Sequence, residues 1–202
     1  YYIRFLANEY ATKANIMKEM DYIFGFAKSQ DRVIFYFSGH GASGLFCASD
    51  IKINGNTAEN ALWHDEVKDA FKKCKARTKL CIADACHSGS MLAARSVQST
   101  QNTIVGFYNQ LAQAQAGTAL IMSSKSEETS LEASGLRQGV FSHFLIRGLK
   151  GEADSNRDKK VTIQELFDFV YSNVRSFTGN LQSPIIRGDY DHSMIVSAVE
   201  RP

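Results

Sequence analysis

Two short stretches carry side chains able to do covalent chemistry. Ser38-Gly39-His40-Gly41 sets an imidazole between glycines, and Asp84-Ala85-Cys86-His87-Ser88-Gly89 sets a thiol beside a second imidazole. A cysteine attacks as its thiolate, and a nearby histidine stabilises that anion and later protonates a leaving amine. Neighbouring glycines let the backbone turn sharply and approach a ligand, where N–H groups can donate to a tetrahedral oxyanion. Taken singly, a histidine after a strand is more often a hydrogen-bonded turn residue, and a buried cysteine more often a small hydrophobe. The functional reading therefore depends on whether the fold brings the two together.

Each stretch follows a compact apolar run without alternation, Val33–Phe37 and Leu80–Ala83, and Ala119–Met122 is a third such run. Runs of this kind suit strands buried on both faces of a parallel sheet. The pattern predicts strands at about 2–7, 32–37, 79–83, 118–123 and 193–198, with a hairpin around Asn54-Gly55. Helical spacing appears in Ile16, Met17, Met20, Ile23, Phe24 and Ala27, behind a Thr12 cap, and again in Trp63, Val67, Ala70, Phe71 and Cys74. Two further helical faces are Phe141, Phe144, Leu145 and Leu149, and Ile163, Leu166, Phe167, Val170 and Val174. The alternation predicts an α/β, three-layer sandwich with a mainly parallel central sheet flanked by helices. Ligands of such sheets sit beyond the carboxyl ends of the strands, so His40 and Cys86 fall at one edge.

The length of 202 residues suits a single domain over 1–202. With 44% hydrophobic residues, 22% charged and two prolines, a disordered or low-complexity chain is excluded. Lys and Arg number 23 against 21 Asp and Glu, and basic residues cluster in nothing longer than pairs, so no nucleic-acid partner is expected. The longest strictly apolar run, Val33–Phe37, is far short of the roughly 18 residues of a membrane span, so no membrane partner is expected either. Cysteines at 47, 74, 81 and 86 are too few and scattered for a disulfide scaffold. Free thiols point to a cytoplasmic location, with an exported form that has lost its leader as the alternative. A zinc site from Cys81, Cys86 and His87 is disfavoured, because a separation of five places 81 and 86 on opposite faces of a strand. Nothing in the pattern specifies an oligomer.

The strings Phe35-Tyr-Phe-Ser-Gly-His-Gly41 and Ile82-Ala-Asp-Ala-Cys-His-Ser-Gly89 resemble the two signature segments of the caspase-like cysteine peptidases, closest to the metacaspase and bacterial caspase-homologue branch. Gly139-Val-Phe-Ser142, Gly148-Leu-Lys-Gly-Glu-Ala-Asp154, Val161-Thr-Ile-Gln-Glu-Leu166 and Gln182-Ser-Pro184 are similar to later landmarks of that branch. The resemblance implies a caspase-like sandwich with Cys86 as nucleophile and His40 as general acid/base. It implies an oxyanion hole from the N–H groups of Gly41 and Cys86, and a substrate pocket to which Asp84 and Ser38 contribute. His87 is expected to be structural or a minor contributor. A carboxylate two residues before the nucleophile attracts a Lys or Arg side chain and repels an aspartate. Protein or peptide substrates with a basic residue before the cut are thus the expected partners, the alternative being that Asp84 only caps its turn or orients His87. The family also carries a strand and helix ahead of position 2 for which no residues here correspond.

The stretch 88–117 holds one charged residue, Arg95. Long loops are usually functional or disordered, and in caspase relatives this region joins the two halves of the catalytic unit. Self-cleavage after Arg95 is the expectation; a plain surface arginine is the alternative. Asp154, Asn156, Asp158, Thr162 and Glu165 stand at calcium-loop positions 1, 3, 5, 9 and 12, but Lys159 occupies the sixth, where a glycine is expected. Thr162 with Glu165 also reads as a helix capping box, and the Asx residues as side-chain turns. The loop after His40 offers only Asp50 and Glu59 as acidic residues. No cofactor is expected, with calcium the lesser alternative. A caspase-like scaffold without activity, and a ligase or transamidase resolving the same acyl-enzyme with an amine, are the rival functions.

Overall fold

The computed structural model describes residues 2–42, 44–54, 57–87, 117–123 and 139–199, with residues 86 and 87 described as backbone. Helix α1 (Lys13–Phe26) precedes β1 (Arg32–Ala42), which turns back into β2 (Leu45–Phe46). The hairpin β3 (Lys52–Asn54) and β4 (Thr57–Glu59) flanks the expected turn, and β5 (Leu62–Trp63) leads into α2 (His64–Lys73). Then come β6 (Thr78–His87), β7 (Thr118–Met122), α3 (Val140–Arg147), β8 (Lys160–Thr162), α4 (Ile163–Phe177), β9 (Ile185–Asp189) and β10 (Ile195–Ala198).

Six strands form the central sheet in the order β5-β2-β1-β6-β7-β9. Its middle, β1-β6-β7, is parallel, and β2, β5 and β9 run antiparallel to their neighbours. Alternate residues of the middle strands face opposite layers, as the two-residue strand period requires. Val33, Cys81, Ala83, Leu120 and Met122 pack with Ile16, Met20 and Phe24 of α1 and Val67 and Phe71 of α2. Leu80, Ile82, Ala119 and Ile121 pack with Phe141 and Leu145 of α3 and Ile163, Leu166 and Val170 of α4. The apolar runs of β6 and β7 are thus covered on both sides, whereas the expectation fails for β1, where Val33 is buried but Ile34 and Tyr36 on the other face stay exposed.

Local chemistry sets the helix ends. Thr12 caps α1 by accepting from the Asn15 N–H at 3.2 Å, and Asp50 Oδ1 accepts from the Lys13 N–H at 2.8 Å. Thr162 and Glu165 form the expected capping box of α4, with the Glu165 N–H donating to Thr162 Oγ1 and the Thr162 N–H to Glu165 Oε2. After α3 the chain winds through one π turn to Gly151, whose φ of 114° belongs to the glycine region. A Cβ there would lie 2.6 Å from Val199 Cγ1.

Two strand expectations are corrected, and one strand was not expected. Residues 2–7 form no strand: they join no ladder, and Tyr2, Ile3 and Phe5 are exposed while Arg4 pairs with Glu19 of α1. An apolar-rich segment becomes a strand only where a neighbour takes up its backbone groups. The segment expected at 193–198 is the shorter β10, which pairs with β8 outside the central sheet. The sheet's last strand is instead β9, which the sequence pattern did not single out, because only Ile185 and Ile186 at its start are apolar.

Loss of the Thr162 hydroxyl in Thr162→Ala should lower the unfolding free energy by about 1 kcal/mol in urea titrations. Gly151→Ala, which forces a side chain into a strained and occupied position, should cost about 2 kcal/mol or more.

Candidate active site

Strands β1 and β6 do not stop where their apolar runs stop. The parallel ladder continues through Ser38↔Asp84, Gly39↔Ala85, His40↔Cys86 and Gly41↔His87. The motif residues therefore occupy the last rungs of two neighbouring strands, where hydrogen bonding to the adjacent strand replaces apolar burial as the reason to stay extended. Positions 40 and 86 stand side by side, and positions 38 and 84 stand side by side one strand repeat earlier. The sequence-predicted residues are brought together by register alone, with no loop needed to fold back over the sheet.

The surroundings hold this edge in place. Beyond Ala42 the chain reverses through Gly44, at φ 80°, and β2 returns so that the Cys47 N–H donates to the His40 carbonyl at 2.9 Å. His40 is exposed. On the other flank, the Ser123 N–H donates to the Ala83 carbonyl at 3.0 Å, and the fully buried Gln182 donates from Nε2 to the Ser123 carbonyl at 2.8 Å. The Gln182-Ser-Pro184 landmark is thereby a buttress for the end of β7.

Asp84 is buried, at 9% exposure, beside an exposed Ser38. Its Oδ2 accepts a hydrogen bond from the Ser142 hydroxyl of α3. Ser142 Oγ in turn lies 2.7 Å from the hydroxyl of Tyr36, which stands on β1 two residues before Ser38. Sequence reasoning did not assign roles to Ser142 or Tyr36. The available signal was a serine among Val140, Phe141, Phe144 and Leu145, and the helical period places it at the margin of the apolar face rather than against the sheet.

Other thiols are poorly placed for nucleophilic work. Cys81 is buried within the core, and burial pushes its thiol up to about 12. Burial also raises the Cys47 thiol. Around 154–165, the Asp154 carboxylate accepts from the Asp158 and Lys159 N–H groups at 3.1 and 3.2 Å, and Asn156 Oδ1 accepts from the Asp158 N–H at 2.9 Å. Lys159 sits at φ 66° in the expected glycine position. These oxygens close the loop on its own backbone, and Asp50 is turned to the N-terminus of α1. Among the described residues no group of three or more His, Cys, Asp and Glu could hold a metal ion. No helix of the described residues is long and apolar enough to cross a membrane. Arg95, and the rest of 88–117 except Gly117, lie outside the described residues.

A family model described as the caspase domain matches residues 2–192. The chain belongs to the caspase domain family. This is a cysteine-peptidase family, and the mixed six-stranded sheet with helices on both sides is the caspase-like α/β sandwich. The caspase domain here is 27% identical over 168 residues to metacaspase-1 of Debaryomyces hansenii, covering 76% of this chain and 36% of that protein. The chain thus spans about a third of the length of that curated relative. The crystal structure of protein GSU0716 from Geobacter sulfurreducens shares the fold, with a TM-score of 0.57 at 18% identity, covering 96% of this chain and 82% of that one.

The raised thiol of Cys81 has a consequence for stability. Its contribution is present in full below the thiol's ordinary value of 9.0 and is lost as pH rises towards about 12, because the unfolded chain then ionises while the folded one does not. Urea unfolding between pH 9 and 12 should show a steeper fall for the parent chain than for Cys81→Ala.

Proposed function

We propose that this caspase domain is a cysteine endopeptidase that cleaves peptide bonds after Arg or Lys through an acyl-enzyme on Cys86. The observation that carries the reading is the pair of alternate register matches, Ser38↔Asp84 and His40↔Cys86, at the carboxyl ends of adjacent parallel strands. One match puts position 86 beside position 40, and the other puts position 84 beside position 38 one strand repeat away.

In the proposed reaction the Cys86 thiolate attacks the scissile carbonyl, forming an S–C bond and placing negative charge on the oxygen. The N–H groups of Gly41 and Cys86 donate to that oxyanion. Collapse breaks the C–N bond, and the His40 imidazolium gives its proton to the departing amine. Neutral His40 then takes a proton from water as the water attacks the thioester. Cys86 leaves as thiolate, and the acid product departs. The basic side chain before the cut pairs with Asp84, with Ser38 beside it, in a partly desolvated setting where an ion pair is stronger than in water. An aspartate in that place meets like charge and is rejected. The same preference supports self-processing after Arg95, the single charged residue of its segment. All of these groups are side chains and backbone of the chain itself.

Fluorogenic peptides ending in Arg, Lys, Asp and Leu test the reading, assayed with calcium or with chelator. Turnover is expected after Arg and Lys alone, at equal rates in calcium and chelator. Cys86→Ala should lower it by about a thousandfold or more, His40→Ala by about a hundredfold or more, and Asp84→Ala by about a hundredfold. Absence of turnover in every condition would place the chain among non-catalytic caspase-like modules. Mass spectra of active Arg95→Gln should show an intact chain where the parent is cut; an intact active parent would remove the self-processing step.

A further inference from the structure

We propose that Ser142, backed by Tyr36, is a positioning residue that fixes the orientation of the Asp84 carboxylate and so sets a preference for Arg over Lys before the cut. The inference rests on the reading that Asp84 receives the basic side chain.

The three groups come from three elements: Tyr36 from β1, Ser142 from α3 and Asp84 from β6. An ionised carboxylate only accepts, so the one hydroxyl proton of Ser142 points to Asp84 Oδ2. Ser142 Oγ is then left as an acceptor, and the Tyr36 hydroxyl, 2.7 Å away, must be the donor to it. The result is a directed chain from Tyr36 through Ser142 to Asp84, in which each donated bond polarises the next. It runs from a half-exposed phenol, through a hydroxyl at 3% exposure, to a carboxylate at 9%. A buried serine among Val140, Phe141, Phe144 and Leu145 has no packing reason to be polar. A hydroxyl there is useful only for the bond that it makes.

Orientation matters differently to the two basic side chains. The guanidinium of Arg is a planar fork that engages a carboxylate through two parallel hydrogen bonds, so it benefits from a carboxylate held in one plane. The ammonium of Lys is a compact point charge with three rotating donors and tolerates a carboxylate that turns. A hydrogen bond from a buried hydroxyl to Oδ2 resists rotation of the Asp84 carboxylate. Because Tyr36 and Ser38 lie on the same strand with matching parity, the same chain also ties α3 to the strand whose end carries His40.

The test measures kcat and KM for peptides identical except for a terminal Arg, Lys or citrulline, in the parent chain, Ser142→Ala, Ser142→Thr, Tyr36→Phe and Asp84→Ala. Citrulline keeps the shape of Arg and removes its charge. Ser142→Ala should lower kcat/KM for Arg by about tenfold, through KM, and for Lys by about two- to threefold, so the Arg-to-Lys ratio falls. Ser142→Thr, which keeps the hydroxyl, should restore the ratio. Tyr36→Phe, which removes a single oxygen from a half-exposed ring, should move the ratio in the same direction by about twofold and remains informative if the Ser142 variants fail to fold. Equal losses on Arg and Lys in Ser142→Ala, or an unchanged ratio in both Ser142→Ala and Tyr36→Phe, would overturn the inference while leaving the Asp84 pocket standing. A parent chain that treats Arg and citrulline alike, with Asp84→Ala no different, would overturn the pocket and the inference together.

Discussion

The parallel ladder between β1 and β6 is the constraint on which everything else depends. Its register runs without a break from Arg32↔Thr78 to Gly41↔His87. In the lower half β6 is clamped by apolar burial on both faces and β1 on one, and in the upper half the ladder is held by backbone hydrogen bonds and by the small size of Gly39, Ala85 and Gly41. A slip by one residue would put Cys81 and Ala83 on the wrong layer and would part His40 from position 86 in the same stroke. Core packing and site geometry are therefore specified by one variable. The burial of Val33, Leu80, Cys81, Ile82 and Ala83 holds the register against such a slip.

The flanking elements act on this ladder rather than on the chemistry directly. Helix α1 and helix α2 cover one face, α3 and α4 the other, and β2 and β7 close the two sides of the site edge through Cys47 to His40 and Ser123 to Ala83. Helix α3 does more than cover. Its Ser142 reaches into the same face as Asp84, so the layer that supplies apolar burial also supplies a polar contact to the candidate pocket.

Much of this was legible in the sequence because the signals were strong and local. Unalternating runs identified the three middle strands, and helical spacing with Thr12 and Thr162 caps identified the helices that bury them. The motif residues at the strand ends followed from chain order in an α/β sheet. What escaped were features decided by partners distant in sequence. Residues 2–7 look like a strand but join no ladder, and β9 has too few apolar residues to announce itself. The exchange of β10 from the central sheet to a ribbon with β8 is likewise a pairing choice. Ser142 escaped for the same reason: its inward position depends on the rotation of α3 against the sheet, whereas the helical period of its neighbours puts it at the margin of the apolar face.

We propose that the β1–β6 register makes Cys86 and His40 one reactive unit beside Asp84. The most direct measurement is covalent labelling with a peptidyl-arginine chloromethyl ketone, followed by mass spectrometry of the modified peptide. One adduct per chain is expected, on Cys86, formed far more slowly in His40→Ala and not formed with the matching aspartyl reagent. Labelling of Cys47 in preference to Cys86, or a Cys86 rate indifferent to His40, would contradict it.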